Sequence, residues 1–268
     1  MSVTGKKRQG NDKFYTNSDI ALACFNTFKK YITHKNCVII EPAAGNGAFL
    51  SPLADYNYKA YDILPENEGI ILQDFLTLDL AQFQTPLYFI GNPPFGRQSS
   101  LAKKFIKHIT ACVNTAVIGF ILPKSFKKES MQKCFPLHYW CAKQIDLPDN
   151  SFNIDGNIHN VPCVFQIWEK RAIPRVISPT PKSLYFDFVK ITEQPDFSLR
   201  RVGVYAGKLD KDVAKSQQSH CFIKLKQSVE MDDFARAFKG VVFSHDNTVG
   251  PRSISKKEFI VAINQMSI

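Results

Sequence analysis

Through the first two thirds of the chain, apolar residues come in short unbroken runs, with little alternation of apolar and polar positions. Seven such runs stand at 37–40, 59–63, 69–72, 87–90, 116–122, 144–147 and 163–168. A strand that is apolar on both faces belongs to a sheet covered on both sides. Between the runs the period changes. Residues Ile20, Leu22, Ala23, Phe25, Phe28 and Ile32 recur at mostly helical spacing over 17–32, with Asn17 or Ser18 placed to cap the start. Further helices are expected at 48–55, 101–110 and 128–134, with Ser99 or Ser100 capping the second of these. Strands separated by helix-length connections read as a doubly wound, mostly parallel, seven-stranded α/β domain over residues 1–170.

After Arg171 the texture changes. Ile173-Pro174, Ser178-Pro179 and Thr180-Pro181 read as a linker. Two alternating segments follow at 199–205 and 221–225, with Arg200, Arg201, Lys224 and Lys226 interleaved. Ser255 and Glu258 have the spacing of a capping box ahead of Phe259-Ile260-Val261, which predicts a short closing helix. Residues 171–268 are therefore expected to form a small α+β appendage. Being short and polar, it is expected to pack on the first domain and is a candidate for substrate recognition.

With 268 residues, 44% of them hydrophobic, the chain can bury one large core, or one core and a small annex. No stretch approaches the roughly 20 apolar residues of a membrane span, and the polar, basic start has no apolar signal region. A cytoplasmic location is expected. The seven cysteines contain no CxxC and no close Cys/His pair, so they read as reduced and mostly buried, with neither disulfides nor a metal site. Formal net charge is +10. Residues 1–170 carry 18 Lys/Arg against 14 Asp/Glu, and residues 171–268 carry 16 against 10, so excess positive charge is densest in the last third. This balance suits a polyanionic partner such as nucleic acid.

Four features carry chemistry. In Val38-Ile39-Ile40-Glu41-Pro42-Ala43-Ala44-Gly45-Asn46-Gly47 a buried strand enters a glycine turn. The turn is either simply a tight strand-to-helix connection or the place where a nucleotide-like ligand meets the strand ends. The dinucleotide fingerprint fails because Leu50 stands where its third small residue belongs, and Glu41 suits a cationic ligand better than a pyrophosphate. Asp62 ends the next strand, where its carboxylate can accept from ribose hydroxyls. After the third strand, Asp74 can accept from an adenine amino group with Phe75 on the ring face.

The fourth feature is Asn92-Pro93-Pro94-Phe95 after the fourth run. It is either a structural proline turn or a pair of acceptors. Prolines remove backbone donors and stiffen the corner, leaving the Asn92 side-chain oxygen and the Pro93 carbonyl free to accept from an –NH₂ group. Two acceptors on an aromatic amine free its delocalised lone pair and stabilise the charge that builds as the nitrogen is alkylated. Phe95 offers a face on which the target ring can stack.

Together these motifs resemble the amino-methyltransferases that use S-adenosylmethionine, in the class whose cofactor motif precedes its catalytic motif. Asp12-Lys13-Phe14-Tyr15-Thr16-Asn17 is similar to that family's N-terminal element, although Asn17 stands where the family usually has Pro. The resemblance spans roughly residues 12–170. It implies cofactor contacts by Tyr15, Thr16, Glu41, Ala43, Gly45, Asp62, Asp74 and Phe75, and catalytic roles for Asn92, Pro93, Pro94 and Phe95. It also implies a loop aromatic that sandwiches the target base. Phe152 is the candidate and His159 the reserve, with a hydrophobic plug beneath the loop as the other role open to Phe152. Arg97 and Lys124 are placed at the edge of the same crevice, either on phosphate or in water. The Asn-Pro-Pro-Phe form implies N6 of adenine, with DNA placed ahead of RNA. Guanine N2 or protein glutamine follows, and then a catalytically silent nucleic-acid-binding subunit.

Overall fold

The computed structural model describes residues 14–154, 157–243 and 252–267. They divide into two compact units, Met1–Val176 and Ile177–Ile268.

The first unit contains β1 (Tyr15–Thr16), α1 (Ser18–Phe28), β2 (Val38–Glu41), α2 (Leu50–Leu53), β3 (Tyr58–Asp62), β4 (Ile70–Leu72) and β5 (Leu87–Gly91). It continues with α3 (Ser100–Ala111), β6 (Thr115–Pro123), α4 (Glu129–Gln132), β7 (Tyr139–Asp146), β8 (Phe152–Ile154), β9 (Asn157–His159) and β10 (Cys163–Lys170). All seven expected strands fall in one sheet, ordered β4-β3-β2-β5-β6-β10-β7. Neighbours from β4 to β6 run parallel, whereas β10 is antiparallel to both β6 and β7. This is a doubly wound order with one reversed strand slipped in beside the last.

Successive strand residues feed opposite layers, as the period of two requires. Ile40, Phe89, Phe120 and Leu122 pack with Ala102, Phe105, Ile106 and Ile109 of α3. Ile39, Tyr88, Ile90 and Ile121 pack with Ala21, Phe25 and Phe28 of α1 on the other side. The connections differ from the sequence expectation in instructive ways. After the glycine turn only Leu50–Leu53 is α-helical, because Pro52 has no N–H and can stand only in a first turn. At α3 neither serine acts as a cap. Ser99 is left-handed (φ 60°), and the Phe95 carbonyl receives the Leu101 and Ala102 N–H groups instead. Asn17 likewise makes no cap bond to α1, since its amide donates to the Asn150 carbonyl and accepts from Asn153.

The first unit runs past the expected boundary at 170 because the start of the linker is fastened down. Arg175 donates to the carbonyls of Gln132, Phe135, Pro136 and Tyr139, and its guanidinium lies 5.2 Å from the Trp168 ring centroid.

The second unit holds β11 (Phe186–Val189), β12 (Phe197–Arg200), β13 (Leu209–Asp210), β14 (His220–Leu225), α5 (Met231–Phe238) and α6 (Lys256–Ile263). Its four strands form an antiparallel sheet ordered β11-β14-β12-β13. Phe186, Phe197, Leu199, Phe234, Phe259 and Ile263 build a core of its own. The capping box at α6 is fully formed, with Ser255 Oγ accepting from the Glu258 N–H and the Glu258 carboxylate accepting from the Ser255 N–H. No helix among the described residues is long and apolar enough to cross a membrane.

Gly119 shows how tightly α1 seats on the sheet. A Cβ there would stand 2.5 Å from the buried Phe28 ring and 3.1 Å from Phe165. Gly119→Ala is expected to cost about 1–3 kcal/mol of overpacking. Denaturant unfolding measures it, and an unchanged midpoint would show that this interface is loose.

Candidate active site

Parallel strands β2 and β5 are neighbours, so the turns that leave their carboxyl ends lie side by side. They abut closely. A Cβ built on Gly91 would meet the Glu41 side chain at 3.3 Å. The glycine corner after β2 takes left-handed backbone at Gly45 (φ 54°) and Gly47 (φ 83°). It is held from two sides, by Ala44 N–H to the Tyr61 carbonyl at 2.9 Å and by Gly45 N–H to Asp62 Oδ2 at 2.7 Å. Gly45 also has a close neighbour, since an added Cβ would approach the Tyr15 ring to 3.3 Å.

Between these corners lies a cavity of about 450 Å³. Its walls include every residue expected to touch cofactor or to act in catalysis: Tyr15, Thr16, Glu41, Ala43, Gly45, Asp62, Asp74, Phe75, Asn92, Pro93, Pro94 and Phe95. They come from three strand ends, the proline corner and the N-terminal arm, so the topology has gathered residues up to 80 positions apart.

The polar groups are unevenly engaged. Asp62 is already in use, with Oδ2 on Gly45 N–H and Oδ1 on Leu64 N–H at 2.8 Å. It therefore shapes the glycine corner, and any ligand hydroxyl would meet lone pairs that are left over. Asp74 Oδ1 accepts from the Leu76 N–H at 2.9 Å and caps a short turn. Phe75 lines the cavity from within the core, nearly parallel to Phe105 with centroids 5.6 Å apart. Tyr15 donates its hydroxyl to Glu66, closing the arm over the glycine corner.

Three cavity groups stand out for what they lack. Among the described residues, four buried side-chain polar atoms have no hydrogen-bond partner. Three of them lie on this cavity: Thr16 Oγ1, Glu41 Oε2 and Asn92 Oδ1. Buried atoms with no partner in the protein are uncommon, and water or a ligand must satisfy them. The Asn92 amide is oriented without ambiguity. Its Nδ2 stands 3.0 Å from the Phe14 carbonyl, which can only accept, so Oδ1 is the acceptor left over. Glu41 is 2% exposed. Burial, and then repulsion from Asp62, push its carboxyl well above the usual glutamate range. A cationic or N–H-rich ligand would relieve both problems, and a pyrophosphate would aggravate them.

The remaining site expectations fare differently. Phe152 is fully buried, paired through the backbone with Thr16 and packed in the core layer beneath the arm. Its ring is a plug under the loop and is not one of the cavity walls. The side chain of His159 lies outside the described residues, as do Asp12 and Lys13. Neither Arg97 nor Lys124 lines the cavity. Arg97 is exposed, and Lys124 pairs with Asp146 at 3.6 Å, a carboxylate it shares with Lys127. Phe14, Glu66, Ile63 and Leu64 are walls that the sequence reading missed. Phe14 was within reach, because it adjoins Tyr15 in the N-terminal element. No cluster of three or more His, Cys, Asp or Glu suited to a metal occurs among the described residues. A larger, shallow depression of about 810 Å³ lies at the opposite strand ends beside His34, His138 and Lys170, and none of the partnerless atoms borders it.

No protein-family model matches the chain, and no curated protein sequence does. Solved structures to which it is similar include the 23S rRNA methyltransferase ErmE, at 15% identity and a TM-score of 0.45, covering 62% of this chain and 73% of that one. A candidate RNA methyltransferase from Pyrococcus horikoshii is similar at 13% identity and a TM-score of 0.46, covering 63% and 92%. The M protein of the type I restriction enzyme EcoKI is similar at 15% identity and a TM-score of 0.42, covering 58% of this chain and 44% of that one. At these identities the likeness says nothing of chemistry, which the site's own residues carry.

Burial of Glu41 makes a measurable demand. With its folded value raised, the side chain's contribution to stability is complete below the ordinary glutamate value of about 4.3 and is lost as pH rises through the folded value. Glu41→Gln removes that loss. Melting temperatures without ligand are expected to differ little near about pH 4, with the variant gaining over the parent toward about pH 8. Parallel pH profiles would mean that Glu41 is solvated.

Proposed function

We propose that the protein transfers a methyl group from S-adenosylmethionine to the exocyclic amino group of a nucleobase, N6 of adenine, in nucleic acid, with DNA ahead of RNA. The observation that carries this reading is the Asn92 carboxamide, locked by the Phe14 carbonyl so that a buried, partnerless oxygen remains on the cavity. The cofactor supplies an electrophilic methyl on a sulfonium. The chain's own groups do the rest.

Glu41 offers a buried carboxyl that a cationic ligand would favour in its ionised form, and its neighbourhood at the glycine corner admits close backbone approach. Asp62 and Asp74 hold the turns that flank the cavity and keep lone pairs for a nucleoside's hydroxyl and amino groups. Asn92 Oδ1 would accept one N–H of the target amine, with the Pro93 carbonyl, on a corner stiffened by Pro94, accepting the other. Two acceptors favour the form of the nitrogen that carries positive charge, which is approached as the N–C bond forms and the methyl–sulfur bond breaks, and the surplus N–H proton would leave along one of these hydrogen bonds to solvent. Alignment of donor and acceptor within one cavity supplies the remaining advantage. Net charge of +10, densest after residue 170, supports a polyanionic substrate.

A direct assay incubates the protein with methyl-labelled S-adenosylmethionine and separate pools of DNA, RNA and protein, then digests the labelled pool to nucleosides. N6-methyladenosine or its deoxy form is expected. Asn92→Ala removes one of two preorganised acceptors and should lower kcat about 10²–10³-fold while leaving cofactor binding near the parent value. Label in protein alone, or an Asn92→Ala variant as fast as the parent, would refute the reading.

A further inference from the structure

We infer that Phe14 is the second wall of the target-base slot, so that a planar ring is held between Phe14 and Phe95 beside the Asn92 oxygen. The inference rests on the methyl-transfer reading and adds to it the part of the site that selects the substrate.

Burial of Phe152 leaves one face of the target base without a stacking partner. A base drawn out of a strand needs two faces to stack on, and the side chain expected to supply one of them is wholly buried. The ring of Phe14, in contrast, is only partly buried and is a wall of the same cavity as Phe95. The two rings lie nearly parallel, 23° apart in plane, with centroids separated by 6.5 Å. A ring held between two faces sets their planes about 7 Å apart, twice the stacking distance of about 3.5 Å, so the two phenylalanine rings must part to admit a base. Phe152 stands edge-on to Phe14 at 6.3 Å and 70°, an aromatic contact that helps to hold the Phe14 ring.

Position relative to the chemistry is what makes these two rings a slot. The residue that supplies one wall also supplies the carbonyl that orients Asn92. The other wall is fixed by its own carbonyl, which receives the first N–H groups of α3. An amine on a ring seated between Phe14 and Phe95 therefore meets the Asn92 oxygen at the slot's inner edge. A glutamine side chain has no ring to stack, so the slot favours a nucleobase over a protein amide.

Kinetics on a random-sequence DNA pool and a total-RNA pool with labelled S-adenosylmethionine provide the test. Phe14→Leu keeps an apolar side chain but removes the ring face, whereas Phe14→Tyr keeps the face. The leucine variant is expected to lose roughly tenfold or more in kcat/KM for the labelled pool, the scale of one lost base-stacking partner. The tyrosine variant should stay within about threefold of the parent, because phenol and phenyl faces stack alike. Both should bind S-adenosylmethionine as the parent does and melt at similar temperatures. Equal losses in both variants, or a lowered cofactor affinity in Phe14→Leu, would reduce Phe14 to a structural prop and overturn the inference. Parent-like kinetics in Phe14→Leu would overturn it as well. A parent protein that labels neither nucleic-acid pool would instead overturn the methyl-transfer reading, and the slot with it.

Discussion

One hydrogen bond organises the site. The Asn92 amide gives its nitrogen to the carbonyl of Phe14, 78 residues earlier in the chain, and this fixes which end of the amide is left over. A free asparagine side chain would present donor and acceptor to the cavity about equally, and only the acceptor suits an amine. The N-terminal arm therefore does more than cover the cavity. It sets the chemical sense of the group at its centre. The arm is held in turn by pairing of β1 with β8, by the Asn17 side chain bridging Asn150 and Asn153, and by the Tyr15 contact to Glu66.

The sheet makes that contact possible. Parallel β2 and β5 end side by side, so the glycine and proline corners meet, and a buried carboxylate and a buried amide oxygen share one small space. Neither oxygen finds a partner within the protein, so water or a ligand must satisfy it. Here the imbalance has a sign. Glu41 favours positive charge, and Asn92 Oδ1 favours an N–H donor. Chemistry that brings a sulfonium to an amine satisfies both at once.

The fold of the first unit was legible because its signal is periodic. Apolar runs named all seven strands of the sheet, and the motifs between them named twelve cavity walls. Single-residue constraints were harder to read. Pro52 shortened a helix that apolar spacing had extended, and the Phe95 carbonyl took over the capping work expected of Ser99 or Ser100. Of the two roles open to Phe152, stacking on the base or plugging the space beneath the loop, its burial and pairing with Thr16 give the plug, a face choice that depends on strand register. Phe14 was overlooked for the converse reason, since a half-buried phenylalanine beside a recognised motif gives no sign of which way its ring faces. The core of the last third was hard to read because the segment is short and polar and its apolar residues are scattered. The antiparallel sheet and two helices bring Phe186, Phe197, Phe234 and Phe259 together from across 74 positions.

The central claim is the orientation of the Asn92 amide at an occupied site, and a crystal structure with S-adenosylmethionine bound examines it most directly. The account predicts the cofactor against Glu41 and the glycine corner, Asn92 Nδ2 still on the Phe14 carbonyl, and Oδ1 facing the sulfonium methyl across a gap wide enough for an amine. An amide rotated to offer its nitrogen to the cavity, or a cofactor seated away from Glu41, would contradict it.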